Sequence, residues 1–113
     1  EKEFAEYLED NEIKFDYESF KIPYVVSHHY NPDFFLTKHG FFVEYKGYFK
    51  PSDRKKHLLI RKQHPKLDLR FIFQVATNRI NKKSKTTYAD WCDRHNFLWA
   101  EGRIPKQWLR YKK

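Results

Sequence analysis

Two acidic residues and one lysine near the middle of the chain have the types and the spacing of a metal site. Asp33 follows a proline, and Glu44 and Lys46 stand two positions apart with Tyr45 between them. Side chains of a β-strand alternate between its two faces, so Glu44 and Lys46 share a face if this segment is a strand. A hairpin that begins at Asp33 would place its carboxylate beside Glu44. The pattern predicts a cluster of two acids and a lysine on neighbouring strands.

Such a cluster can bind a divalent cation and act on a phosphate ester. Two carboxylates that converge repel each other unless a cation joins them. Their hard oxygen atoms suit Mg²⁺ or Mn²⁺, and these ions keep water molecules that a substrate phosphate can displace. Lys46 could then orient a water nucleophile or hold the phosphate. The alternative is a surface strand with an ordinary Glu–Lys pair, which the spacing alone does not exclude.

Basic residues follow the predicted site along the chain in two runs. The first falls in one helical turn, and its cations are unfavourable for the helix dipole but well suited to backbone phosphates. The second falls in a polar loop. We predict nucleic-acid contacts from both runs: Arg54, Lys55, Lys56 and His57, and then Arg79, Lys82, Lys83 and Lys85. The alternatives are a solvated helix face and a mobile, soluble loop.

Apolar periodicity predicts the elements of the first half of the chain. Residues 1–10 have the apolar spacing of a short amphipathic helix, with the carboxylate of Glu1 at the tip of its apolar face. Alternation then predicts strands at 13–17 and 20–26, or one strand bent at Glu18–Ser19. A hairpin follows, with strands at 33–36 and 41–49. This hairpin is the element that would bring the two acids together.

The second half of the chain predicts alternating helices and strands. A helix capped by Ser52 or Asp53 runs to about residue 64, before Pro65, and another helix starts at Thr86 or Thr87. The remaining predicted elements are a buried strand at 69–75, a strand at 97–100 and a helical turn at 104–109. The complete order predicts an α/β domain with a mixed central sheet. Trp91, Trp99 and Trp108 are assigned to its core.

Composition narrows the class of protein. The chain has 113 residues, which is one domain, and a net charge of +8, from 23 Lys and Arg against 15 Asp and Glu, favours a polyanionic partner. Its single cysteine, Cys92, excludes an intrachain disulfide and argues against a zinc site. No apolar run is long enough to span a membrane. Because the sequence opens at Glu1 rather than Met, we expect it to be part of a longer protein.

Five segments of the chain are more specific than the Asp–Glu–Lys pattern alone. They are Ile13-Lys14-Phe15-Asp16-Tyr17-Glu18, Pro32-Asp33-Phe34, Phe42-Val43-Glu44-Tyr45-Lys46-Gly47, Asp53-Arg54-Lys55-Lys56-His57-Leu58-Leu59-Ile60-Arg61 and Gln63-His64-Pro65. Together they resemble the endonuclease I family of the T-odd bacteriophages, which are Holliday-junction resolvases with a PD-(D/E)xK nuclease core. The resemblance covers nearly the whole chain.

The resemblance implies roles for individual residues. Asp33 and Glu44, together with the backbone carbonyl of Tyr45, would hold one metal ion, and Lys46 would assist the attacking water. Glu1 would be a further catalytic residue, which helps to bind a second ion. It would be supplied by the other subunit. Two-metal phosphodiester hydrolysis fits these roles. The implied cofactor is Mg²⁺, for which Mn²⁺ can substitute.

The resemblance also implies a fold and an assembly. It implies a restriction-endonuclease-like core in a domain-swapped homodimer with composite active sites. Residues 1–26 would be the swapped segment, 27–29 the bridge, and 30–113 the main segment of a single nuclease domain. The bridge is about three residues shorter than the family pattern, which alters the distance between the two sites. The turn before Glu44 is one residue longer, and the family's basic tail before the first helix is missing.

The expected function is binding and cleavage of four-way junctions and other branched DNA in the cytoplasm of an infected bacterial host. Two alternatives stay open. One is a related nicking endonuclease with a different substrate preference, for which the short bridge is the only indication. The other is a DNA-binding domain that keeps the nuclease fold without catalysis, and the presence of Asp33, Glu44 and Lys46 argues against it.

Overall fold

A computed structural model of the chain describes residues 1–110. Within them lie three α-helices, four β-strands and a short 3₁₀ helix. In chain order the elements are α1 (Lys2–Asp10), β1 (Phe34–Leu36), β2 (Phe41–Lys46), α2 (Pro51–Gln63), β3 (Leu69–Phe73), α3 (Tyr88–Arg94), β4 (Trp99–Glu101) and the 3₁₀ helix (Lys106–Leu109). None of these helices is long and apolar enough to cross a membrane.

The strands form one mixed sheet in the order β1-β2-β3-β4. The hairpin β1–β2 is antiparallel, whereas β3 and β4 add in parallel, each after a helical crossover. The predicted α/β class with a mixed central sheet is therefore confirmed. Phe34 pairs with Val43, and this register brings the preceding residue, Asp33, next to Glu44. Gly40 closes the turn with φ +76°, a conformation that glycine adopts without strain.

The main core lies between one face of the sheet and the helices α2 and α3. Phe71 and Phe73 of β3 point into it, and the ring of Phe49 packs on both, with centroids 5.3 and 5.4 Å apart. Trp91 packs in turn on Phe49, at 5.0 Å. Cys92 is fully buried in the same cluster, and burial raises the pKa of its thiol. The predicted core role of Trp91 is confirmed, and Cys92 is a packing residue.

The other face of the sheet, which we call the outer face, has a thinner cover. Its buried side chains are Phe41, Val43, Ile72 and Ala100, against which Leu36, Ile104 and Trp108 pack. An apolar groove remains open along it, lined by Phe34, Leu36, Val43, Tyr45, Ile72, Gly102, Arg103 and Ile104. The described part of the chain therefore leaves apolar surface of its own sheet partly uncovered.

The starts of the two core helices differ in how well the sequence predicts them. Thr87 caps α3 as predicted, because its hydroxyl accepts the N–H of Asp90 at 3.0 Å. The predicted cap of α2 at Ser52 or Asp53 is wrong. The N-cap is Lys50, and Pro51 occupies the first helical position, where its fixed φ and missing N–H are tolerated. Asp53 consequently faces inward from the first turn and is 7% exposed.

Residues 1–29, here called the N-terminal arm, extend away from the sheet. The radius of gyration is 22.9 Å, whereas a compact chain of this length has one of about 13 Å. The helix α1 buries none of its residues, and large apolar side chains of the arm, such as Phe20, Ile22 and Tyr24, are at least 78% exposed. An apolar arm of this kind lacks the cover that its sequence requires.

The strands predicted at 13–17 and 20–26 are absent from the described chain, so that prediction is wrong for a single copy. The apolar alternation is present, but a strand needs a neighbour that satisfies its backbone groups. Pro23 also lacks one donor. The backbone does turn at Glu18, where φ is +49°, but the described chain has no strand there for a bulge to bend.

Candidate metal centre

Asp33 and Glu44 are held together by reciprocal hydrogen bonds between side chain and backbone. The N–H of Tyr45 donates to Oδ2 of Asp33 at 2.9 Å, and the N–H of Asp33 donates to Oε1 of Glu44 at 3.3 Å. The carboxylate of Asp33 thus binds the residue that follows Glu44, and the carboxylate of Glu44 binds the backbone of Asp33. The structure therefore brings Asp33 and Glu44 next to each other at the β1–β2 hairpin, as predicted.

The two acids differ in their environment. Asp33 is exposed, whereas Glu44 is 4% exposed on the core side of β2. A buried carboxylate is costly unless it is paired and hydrogen-bonded. Glu44 satisfies this condition through Asp33, through Lys46, whose Nζ lies 3.3 Å from Oε2, and through the hydroxyl of Tyr30, which donates to Oε1 at 2.6 Å. Burial and the contact with Glu44 raise the pKa of Tyr30, so its hydroxyl keeps its proton.

Lys46 lies between two carboxylates. Its second partner is Asp53, at 3.5 Å from Nζ to Oδ2, and the side chains of both residues are less than a fifth exposed. Asp53 is itself fixed because its Oδ2 accepts the N–H of Lys50 at the start of α2, at 3.4 Å. The ammonium group is therefore held beside Glu44 from two elements, and its position is set by the helix as much as by the strand.

The donor set fits a hard divalent cation. Carboxylate oxygens from Asp33 and Glu44 are the ligands that Mg²⁺ and Mn²⁺ prefer, and the exposed side of Asp33 leaves room for water molecules. Within residues 1–110 no three Asp, Glu, His or Cys side chains come together as a metal cluster. A single copy of the described chain thus offers two acids, and other ligands of the ion would be backbone, water or substrate oxygen atoms.

Glu1 does not join these two acids in the single chain. It lies in the N-terminal arm, where its carboxylate accepts a hydrogen bond from the hydroxyl of Tyr17, in a shallow pocket with Phe4, Leu8 and Phe15. The prediction that Glu1 serves the metal centre requires a second copy of the chain, and it stays a prediction.

Comparison with known proteins identifies the family of the chain. The family model for phage endonuclease I matches residues 1–113. The chain belongs to the phage endonuclease I family. Endonuclease I of Escherichia phage T7 is 44% identical over 116 residues, covering 100% of this chain and 77% of that protein. Endodeoxyribonuclease 1 of Enterobacteria phage T3 is 47% identical over 108 residues, covering 93% of this chain and 70% of that protein.

In this family member, the predicted basic residues separate into two groups. Six are exposed, and we refer to them together as the basic surface: Lys55, Lys56, Arg79, Lys82, Lys83 and Lys85. Arg54 is half-buried, and its Nη1 donates to the carbonyls of Phe49 at 2.7 Å and Ile80 at 3.4 Å. Arg54 therefore connects α2, which carries the first basic run, to the loop after β3, which carries the second.

The prediction that His57 contacts nucleic acid is wrong for this structure. Its ring is 0% exposed and packs among the rings of Tyr30, Phe49 and Phe71, 4.9–6.4 Å away. The basic run continues around the helix, and the fourth position turns inward after one turn. Neither ring nitrogen has a hydrogen-bond partner. Burial, with Lys56 and Lys46 nearby, lowers the pKa of His57 to about 4, so the ring is neutral near pH 7.

Sequence reasoning missed the supporting side chains of the centre. Tyr30 precedes the hairpin in an irregular segment, so no periodicity marks it. The sequence predicts Asp53 only as a helix cap and not as a partner of Lys46. The signal that could have placed it was Pro51, which fixes the start of α2 and so puts Asp53 in the first turn, close to the end of β2.

Proposed function

We propose that this chain is a Mg²⁺-dependent endodeoxyribonuclease that binds and cleaves four-way (Holliday) junctions and other branched DNA. The observation that carries the proposal is the interlocked pair Asp33 and Glu44 with Lys46 held beside it. The names of the two phage relatives, an endonuclease and an endodeoxyribonuclease, support DNA as the substrate. Mn²⁺ is expected to replace Mg²⁺, because both ions accept the same oxygen ligands.

The carboxylates of Asp33 and Glu44 and the backbone carbonyl of Tyr45 would hold the ion. When bound, it would supply positive charge to a phosphate oxygen and to the attacking water. Lys46, which contacts both Glu44 and Asp53, would orient that water or pair with the scissile phosphate. Glu1 of a second copy would complete the acid cluster.

The basic surface is the candidate contact for the DNA backbone. Replacing both Lys55 and Lys56 with alanine is expected to weaken junction binding and to reduce the slope of log K against log salt concentration by about two, since each phosphate contact contributes about 0.9. Stability should change by no more than about 1 kcal/mol, because both side chains are exposed and the ammonium group of Lys56 loses only its contact with the Tyr30 ring. Binding titrations at several salt concentrations measure the slope.

Arg54→Ala is the variant to compare with the double lysine variant, because it removes a basic residue of the same helical turn whose hydrogen bonds are within the protein. This change removes hydrogen bonds to two backbone carbonyls, so it should lower the free energy of unfolding by about 2 kcal/mol. An unchanged salt slope in the double lysine variant would exclude α2 from the DNA interface.

We also propose that two copies exchange residues 1–26 of their N-terminal arms, through the bridge 27–29, around a restriction-endonuclease-like core formed by 30–113. Three observations support this. The arm is apolar and uncovered, its alternating segments lack a strand partner in one copy, and the outer face keeps an open apolar groove. An exchanged arm would cover apolar surface and would deliver Glu1 to the other copy.

The expected solution state is a dimer at micromolar concentration. A monomer would leave the exposed apolar side chains of the arm in water, at a cost of about 25 cal/mol for each Å² that a partner would cover. Light scattering coupled to size exclusion measures the mass directly. A monomeric mass at concentrations where junctions are cut would contradict arm exchange and would favour the nicking endonuclease that acts as a single copy.

The direct test of the function compares a labelled four-way junction with linear duplex of the same sequence, with and without Mg²⁺. Preferential, Mg²⁺-dependent cutting of the junction is expected. Equal cutting of both substrates would favour the nicking enzyme of different preference. Binding without cutting of either substrate would leave a DNA-binding domain that keeps the fold.

A further inference from the structure

The contacts of Glu44 point to a role for Tyr30. Oε1 of Glu44 accepts two hydrogen bonds, from the Tyr30 hydroxyl at 2.6 Å and from the N–H of Asp33 at 3.3 Å. A carboxylate oxygen has two lone pairs, so Oε1 is saturated. Oε2 has one partner, the ammonium group of Lys46 at 3.3 Å, and it keeps one lone pair. The two oxygens of this carboxylate are therefore not equivalent toward a cation.

We propose that Tyr30 is a positioning residue that makes Glu44 a one-oxygen ligand through Oε2. This inference rests on the proposed metal centre and extends it to the choice of ion. Mg²⁺ and Mn²⁺ suit an octahedral set in which each carboxylate supplies one oxygen, whereas Ca²⁺ readily accepts both oxygens of one carboxylate. By occupying Oε1, the Tyr30 hydroxyl favours the smaller ions.

The packing of Tyr30 fixes the direction of its hydroxyl. The ring meets the fully buried His57 edge-on, with centroids 5.2 Å apart, and the ammonium group of Lys56 lies 5.1 Å from its centre. Tyr30 is half-buried where the N-terminal arm joins the main segment. A donor held by packing keeps the carboxylate in one orientation before any ion binds, which is how hydrogen-bond partners of metal ligands raise affinity.

Tyr30→Phe tests the inference because it removes one hydroxyl and leaves the ring contacts in place. Tyr48→Phe is the matched control, since it makes the same change on a side chain that is 70% exposed. Mn²⁺ affinity is measured by electron paramagnetic resonance of the free ion, Ca²⁺ affinity by competition, and folding by circular dichroism. Loss of such a partner typically weakens metal binding 10- to 100-fold.

The expected result is a Mn²⁺ dissociation constant that rises at least about tenfold in folded Tyr30→Phe, with a smaller rise for Ca²⁺. Tyr48→Phe should match the unchanged protein. A Mn²⁺ affinity within about twofold of the unchanged protein, or equal losses for both ions, would overturn the inference. If the unchanged protein itself binds no Mn²⁺ and cuts no junction, the proposed function fails, and that outcome is separate from a failure confined to Tyr30.

Discussion

Glu44→Gln is expected to reduce cleavage of branched DNA by at least about 10³-fold while junction binding is retained. Charge stabilisation by a bound ion supplies several kcal/mol of the barrier reduction, and each 1.36 kcal/mol is tenfold in rate. Glutamine keeps the shape of the side chain and can still accept from the Tyr30 hydroxyl, so the fold should persist. Loss of a negative charge should not weaken phosphate contacts.

Single-turnover cleavage of a labelled junction and gel-shift binding in Ca²⁺ measure the two properties separately. Asp93→Asn is a suitable control because it removes the same charge from an exposed side chain on α3, outside both the metal centre and the N-terminal arm. Loss of binding together with cleavage in Glu44→Gln would show that the buried carboxylate serves mainly to hold the hairpin and α2 together. Retained cleavage would remove Glu44 from the chemistry.

The proximity of Asp33 and Glu44 was predictable because its geometry is local. The alternation of side chains sets the face of Glu44, and a short turn sets the register that brings Asp33 beside it. Both rules act within residues 33–46, so they need no knowledge of the rest of the fold. The register of the two strands then depends only on the length of the turn, which ends at Gly40 with positive φ. A hairpin allows few turn lengths.

The supporting residues were not predictable in the same way. Asp53 reaches Lys46 because α2 starts at Pro51 and returns over the sheet, and His57 is buried because the same helix turns that position toward Phe71. These contacts depend on how a helix packs, and periodicity does not determine packing. Four consecutive residues cover all sides of a helix, so a helix that lies against a sheet must turn one member of such a run inward. In α2 that member is His57.

The N-terminal arm shows a second limit of sequence reasoning. Alternation identifies apolar segments, and the turn at Glu18 lies where the alternation changes parity. It does not say which chain supplies the cover. A segment forms a strand only when a second segment pairs with it. A segment can therefore have the sequence pattern of a strand and still form no strand in one copy of the chain.

Acid is expected to destabilise the protein through His57. The pKa of this ring is lowered from 6.5 to about 4, so below pH 6.5 the unfolded chain binds a proton that the folded chain excludes. Stability therefore falls as the pH drops from about 6.5 to about 4, by up to about 3 kcal/mol, and this contribution is constant above and below that window. Lys56 and Lys46 oppose the charge, and Asp53 and Asp33 favour it.

His57→Phe isolates this contribution because it removes both unpartnered ring nitrogens and keeps an aromatic ring among Tyr30, Phe49 and Phe71. Carboxylates titrate in both proteins, so the informative quantity is the difference in free energy of unfolding between variant and unchanged protein, from urea titrations at pH 7 and pH 4.5. The difference should grow by roughly 2–3 kcal/mol in favour of the variant. If phenylalanine is too large, His57→Leu makes the same comparison. A difference independent of pH would mean that the buried ring accepts a proton without cost, because water or a carboxylate reaches it when it is charged.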